Sequence, residues 1–111
     1  MRLGREWIGR KVRVEMDRPL GSEHPERPGF FYEVNYGYLP GTLAADGEPI
    51  DAYVLGPDQP LDVFEGEVIA IVKREDDVED KLVVSLSRMS AEAVTGAVHF
   101  CEKRYKSHVE V

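Results

Sequence analysis

Asp46, Glu48 and Asp51 place three carboxylates within six residues, around Gly47 and Pro49, which must turn the backbone. Crowded carboxylates repel one another, and a hard divalent cation such as Mg²⁺ would relieve that repulsion. Mg²⁺ prefers oxygen ligands and is usually held by a few carboxylates together with substrate phosphates. The same hexapeptide also reads as a solvated acidic turn, because Asp, Gly and Pro are turn formers in their own right. A second cluster, Glu75-Asp76-Asp77-Val78-Glu79-Asp80, is closed by Lys81. It lies between the apolar runs Val68-Ile69-Ala70-Ile71-Val72 and Leu82-Val83-Val84, so it falls on the turn of a predicted hairpin. Loops at strand ends often carry function on a rigid scaffold. A lysine beside carboxylates could hold an anion that the carboxylates alone would repel. The alternative is a charged loop that keeps the chain soluble.

A basic and aromatic pair, Tyr105-Lys106, follows the most periodic stretch of the chain. Ser90 suits an N-cap. Val94, Val98, Cys101 and Tyr105 then recur on one helical face, which predicts a helix over 91–106. Lys103, Arg104 and Lys106 load its last turn with positive charge, where the helix dipole favours it. Dipole complementarity and core packing of Tyr105 are one reading. A hydroxyl and an ammonium reaching a phosphate are the other.

The elements that would position these groups are mostly strands. Residues 11–17 alternate through Val12, Val14 and Met16, a half-buried strand. Residues 21–29 read as a Pro-rich charged loop, and 30–38 as an aromatic strand. Residues 52–55 are a short strand leaving the first acidic turn. Residues 68–73 and 81–87 flank the second. About five strands and one terminal helix predict a mainly β (α+β) domain built on a small barrel. There is no repeat, linker or low-complexity segment, so 1–111 reads as one domain.

Composition narrows the partners. Net charge is −7, and there is no basic stripe, which argues against nucleic acid. No apolar run is long enough to span a membrane, and Met1 to Trp7 lacks the apolar stretch of a secretion signal. The lone Cys101 cannot form an internal disulfide, in keeping with a reducing, cytoplasmic setting. His24, His99 and His108 show no zinc-ligand spacing. Neither a Ser-His-Asp or Cys-His set nor a P-loop is present.

These residues also carry a resemblance. The run Tyr32-Glu33-Val34-Asn35-Tyr36-Gly37-Tyr38, then Thr42-Leu43, then Asp46-Gly47-Glu48-Pro49-Ile50-Asp51 resembles the soluble inorganic pyrophosphatases of family I. Their pattern there is Tyr-Pro-x-Asn-Tyr-Gly-Tyr/Phe, Thr-Leu and Asp-Gly-Asp-Pro-x-Asp. The acidic loop ending at Lys81 resembles the family's Asp-x-Lys loop. His99-Phe100-Cys101-Glu102 with Tyr105-Lys106 resembles its C-terminal helix. Arg13-Val14-Glu15-Met16-Asp17-Arg18 looks like its Lys-Tyr-Glu-x-Asp-Lys segment.

The resemblance implies an OB-like five-stranded barrel with a C-terminal helix, its strand-end carboxylates converging on one mouth. It implies hydrolysis of pyrophosphate, or a similar phosphoanhydride, by metal-activated water, with Mg²⁺ as cofactor and Mn²⁺ or other divalent cations as substitutes. It leaves room for a homo-oligomer. Asp46, Glu48 and Asp51 would bind metal, as would Asp76 or Asp77 and Glu79 or Asp80. Glu48 would also orient the attacking water, and Tyr36 would stand near the metals. Tyr32, Lys81, Tyr105 and Lys106 would meet phosphate, with Arg13 and Glu15 on the opposite wall.

The chain also departs from the pattern. Glu48 replaces the family's Asp, the acidic loop is shortened, Arg13 replaces a Lys, and Arg27 is off the spacing of the family's arginine. A glutamate-bearing N-terminal extension is largely missing. Three readings follow: a short pyrophosphatase, a hydrolase of another small phosphoanhydride, and a weakly catalytic metal- and phosphate-binding protein.

Overall fold

The computed structural model describes residues 2–76 and 79–111. After a short 3₁₀ turn at Arg5–Trp7 come β1 (Lys11–Arg18), β2 (Asn35–Tyr38), β3 (Asp51–Val54), β4 (Val63–Arg74) and β5 (Lys81–Ser85). The helix α1 (Ala91–Glu102) and a last strand, β6 (Ser107–Glu110), complete the described elements. The sheet order is β1-β2-β3-β5-β4, and pairing of β1 with β4 closes it into a five-stranded barrel. All pairs in the barrel are antiparallel except β3 with β5. β4 is long enough, at 12 residues, to pair with β1 over its first half and with β6 over its last four residues.

Alternation decides which side chains fill this barrel. Val14, Ala52, Val54, Val68, Ile71, Leu82 and Val84 form the inner core, with Val12 and Met16 packed against it. The intervening residues point outward. Tyr53, Ile69, Val72 and Val83 build a second core on the outer wall, which α1 covers with Val94 and Val98. Ser90 caps the helix by accepting from Ala93 N at 3.1 Å. Where β1 and β2 cross, a Cβ on residue 37 would lie 2.0 Å from the Glu15 carbonyl, so only Gly37 fits.

The helix stops short of its expected end. It runs to Glu102, with Lys103 as C-cap, rather than to residue 106. Residues 107–110 instead hydrogen-bond to the exposed edge of β4, in the register Ile71↔Glu110 to Arg74↔Ser107. Continuing the helix would have left those edge groups unpaired. Tyr105 leaves the helical face, and its ring lies 3.8 Å under the Arg74 guanidinium. The aromatic strand is likewise shorter than 30–38 and begins at Asn35. Asn35 is fully buried and ties three segments together. Its Oδ1 accepts from Leu20 N at 2.9 Å and Leu61 N at 3.0 Å, and its Nδ2 donates to the Gln59 carbonyl at 2.9 Å.

Asp80 anchors the N-terminal segment. Its side chain is fully buried, with Arg2 and Lys73 both at 3.0 Å. It also accepts from Leu3 N at 2.9 Å and Arg74 N at 3.2 Å. Burial pushes its carboxyl upward, but the donors from Leu3, Lys73, Arg74 and Arg2 together outweigh burial and hold it below the ordinary 3.8. A carboxyl with a depressed folded pKa contributes stability that is present above its unfolded value and is lost as pH falls through the folded one. Asp80→Asn is therefore expected to lower stability at neutral pH by about 1–3 kcal/mol and to flatten the acid limb below pH about 4. Urea unfolding of both forms between pH 2 and 7 measures this; parallel acid limbs would count against it.

Candidate functional site

Strand register lays out a row of polar residues. Glu15 on β1 pairs with Tyr38 on β2, and Tyr38 pairs with Asp51 on β3. Asp51 meets Lys81 on β5, whose Nζ donates to Oδ2 at 2.8 Å. The Tyr38 hydroxyl donates to Glu15 Oε1 at 3.4 Å. Because Val14, Ala52 and Leu82 fill the barrel, this row alternates onto the outer wall. The row thus faces outward from the barrel wall, with Tyr38 closing β2 and Asp51 and Lys81 opening the parallel strands β3 and β5 at one end of the barrel.

Asp17, two residues beyond Glu15 on the same face, adjoins the row. Burial raises its carboxyl, the Arg18 charge lowers it and the Asp51 charge raises it, with a net upward shift. Tyr36 packs with Tyr53 and Tyr32, ring centroids 5.0 and 5.5 Å away. Burial first, and then the Asp51 charge, push its phenol well above the ordinary 10, so Tyr36 is a hydroxyl donor at neutral pH rather than a base. Burial also raises the Tyr32 phenol, while neighbouring Arg18 opposes the rise.

Beneath the tyrosines lies a network that sequence reasoning missed. Arg74 donates to Glu102 through Nε at 3.1 Å and Nη2 at 2.7 Å, and the Tyr53 hydroxyl donates to the same carboxylate at 2.5 Å. All three residues are buried. Burial acts to lower the Arg74 pKa, but the Glu102 hydrogen bonds and charge reverse this and raise it, so the guanidinium stays charged. Glu102 was visible only as one residue of the helix motif. Arg74, at the end of an apolar strand, gave no signal of its own. Asp17 had one, since it alternates in phase with Glu15.

The other expected residues lie around this centre. Asp46 and Glu48 are exposed on their turn, where Gly47 takes a φ of 85°. Glu48 N donates to Asp46 Oδ1 at 2.9 Å, and Asp46 N donates to Glu79 Oε1 at 3.1 Å, joining the two acidic turns. Of the last carboxylates in the second cluster, Glu79 thus faces the first turn while Asp80 is buried. Asp77 lies outside the described residues. Asp76 accepts from Lys106 N at 3.2 Å, and Glu75 N donates to the Lys106 carbonyl at 2.7 Å, so the Lys106 backbone, just before β6, lies beside the acidic turn. Tyr105 lines a cavity of 140 Å³ with Tyr32, Tyr36 and Arg74. Arg13 sits 3.6 Å from Glu15 on the far side of the row.

A family model described as inorganic pyrophosphatase matches residues 8–105. The chain belongs to that family. An inorganic pyrophosphatase of Gluconobacter oxydans is 40% identical over 74 residues, which span 62% of this chain and 43% of the relative. The soluble inorganic pyrophosphatase 2 of Chlamydomonas reinhardtii is 30% identical over 110 residues, spanning 93% of this chain and 50% of the relative. The chain thus spans about half the length of the curated relatives it matches. The crystal structure of inorganic pyrophosphatase from Ehrlichia chaffeensis superposes with a TM-score of 0.72 at 16% identity, covering 93% of this chain and 86% of that one. That from Thermus thermophilus gives 0.60 at 24% identity, covering 91% and 79%. At such identities the structures establish the shared fold. Among the described residues no helix is long and apolar enough to cross a membrane.

The family's divalent cation can be tested against the residues present. Among the described residues no group of three His, Cys, Asp or Glu converges as a preformed cage. The donors at the row are carboxylate oxygens, and the Asp51 charge adds to the burial that raises the Asp17 carboxyl. One or two carboxylates completed by water and substrate phosphate is the usual mode for Mg²⁺. The residues fit that mode and do not form an all-protein site.

Proposed function

We propose that this chain hydrolyses inorganic pyrophosphate to two phosphates with Mg²⁺ as cofactor. The observation that carries the reading is the row Glu15–Tyr38–Asp51–Lys81 on the outer wall, with Asp17 and Tyr36 beside it. Asp51 and Asp17 would hold the ion, with Asp46, Glu48 and Glu79 reaching in from the joined turns. Bound there, Mg²⁺ would supply charge to offset the phosphate oxygens and would make water more acidic.

The protein groups divide the remaining work. Glu48, exposed on its turn, is free to orient and deprotonate water. Lys81 exchanges part of its hold on Asp51 for a phosphate oxygen, supplying a cation as charge develops. Tyr36, Tyr32 and Tyr105 line the adjoining cavity and can offer hydroxyls to the departing phosphate. Asp80 holds the N-terminal segment in place rather than a metal ion, and Lys106, whose backbone meets the acidic turn, keeps an exposed side chain that would reach phosphate.

The hydrogen bonds Glu48 N to Asp46 and Asp46 N to Glu79 favour a second reading, weak turnover by a metal- and phosphate-binding protein. They hold the acidic turns together and exposed. Phosphate release from pyrophosphate with Mg²⁺, Mn²⁺ and Co²⁺ in parallel separates the readings. Glu48→Asp sharpens the test. Because the longer arm spans the shortened loop, the shorter aspartate is expected to lower kcat by about 10–100-fold with KM little changed. An unchanged kcat would remove Glu48 from the reaction, and binding of pyrophosphate without release would favour the second reading.

A further inference from the structure

The 140 Å³ cavity beside Tyr32 and Tyr36 is lined by Arg27 and Arg104, and among the described residues no carboxylate lines it. Neither guanidinium has an ion-pair partner among the described residues, although the chain has 21 acidic residues against 14 basic ones. Both residues are exposed. They arrive from different elements. Arg104 follows the end of α1, with its guanidinium 4.5 Å from the Phe30 ring centre. Arg27 sits at the tip of a tight hairpin closed by the His24 N to Phe30 carbonyl bond at 2.8 Å and the Phe30 N to Arg27 carbonyl bond at 3.1 Å. Phe30 and Tyr32 pack that hairpin on Phe100 of α1, both with ring centres 6.0 Å away. The helix dipole accounts for a basic residue at Arg104. It does not account for a second, unpaired guanidinium brought to the same cavity from a loop.

A second cavity, a trough of 280 Å³, shares Arg27, Phe30 and Arg104 with the first and reaches Lys103. The trough's exposed walls are mainly polar, and Glu33 is its only acidic lining residue among those described. A polar trough with three cations fits another phosphoryl group better than an aromatic ring.

We propose that Arg27 and Arg104 form the anion grip of this site, and that the trough extends it to a linear condensed phosphate of three phosphoryl groups. The proposal rests on the phosphoanhydride reading above. It assigns the grip to residues outside the Tyr105-Lys106 pair, with the planar guanidinium forks matched to phosphate oxygens.

The test is calorimetric titration of the full chain with pyrophosphate and tripolyphosphate in a chelator, so that no metal takes part. Arg27→Gln and Arg104→Gln are each expected to weaken tripolyphosphate binding by about tenfold without lowering the melting temperature. Lys103→Gln should weaken tripolyphosphate and spare pyrophosphate. Parent-like affinity in both arginine variants overturns the grip. Equal losses for the two anions, with Lys103→Gln silent, overturn the third phosphoryl position. If the parent releases no phosphate with any metal yet binds through the arginines, the hydrolase reading fails and the grip stands. If it is active and binds independently of the arginines, the reverse holds.

Discussion

Asp51→Asn is expected to lower Mg²⁺-dependent phosphate release by at least about 100-fold. Changes to groups that only support metal ligands already cost on the order of 10–100-fold, and Asp51 is proposed as a ligand itself. It stands at the centre of the polar row, between Tyr38 by register and Lys81 at 2.8 Å, and its charge acts on both Asp17 and Tyr36. The effect on stability has two opposing parts. Removing the charge relieves the repulsion with Asp17, but it also takes the partner from Lys81, whose side chain is only 9% exposed. The second part outweighs the first because a nearly buried ammonium without its carboxylate is the costlier defect. A modest fall in melting temperature should therefore accompany the loss of activity. The two are separated by measuring activity well below the melting range across increasing Mg²⁺. Wild-type turnover at any Mg²⁺ concentration would remove Asp51 from the site.

Glu102→Gln is expected to give the largest loss of stability, about 3–5 kcal/mol, the usual consequence of breaking a buried ion pair by removing one charge. The carboxylate receives two bonds from Arg74 and one from Tyr53. The amide keeps one acceptor oxygen but turns an NH₂ toward a guanidinium that cannot accept. Arg74 also lies over Tyr105, and its charge acts on Tyr36, so loosening it should disturb the wall of the 140 Å³ cavity that these residues line. Chemical denaturation of parent and variant measures the stability change. A loss below about 1 kcal/mol, the scale of an exposed pair, would mean that the network is not buried in solution.

The alternation of Val12, Val14 and Met16 already placed Glu15 and Asp17 on one face, because a strand has a period of two. The motif from Tyr32 to Asp51 named its own carboxylates and tyrosines by type and spacing. Turn chemistry around Gly47 and Pro49 and the Ser90 cap were equally local, and local propensities suffice to read them. The family could be read for the same reason: its motifs are short, contiguous and chemically unusual.

Other features depended on contacts between residues far apart in the chain. Closure of β1 onto β4 turned the Val14 face into an interior and the Glu15 face into an outer wall. Which carboxylate of the second cluster was structural depended on Arg2 and Leu3, more than 70 residues away, reaching Asp80. The helix ended at Glu102 because the open edge of β4 offered hydrogen bonds to the residues that follow, and no helical periodicity records a partner strand. Arg74 and Glu102 looked like ordinary charged residues until the fold buried them against each other. Arg27 was misaligned with any motif, yet the hairpin carries it to the cavity that Arg104 also lines from the end of α1. Sequence spacing encodes what neighbours along the chain can do. Burial, pairing and convergence are properties of through-space distance, and here they arose only when the barrel closed.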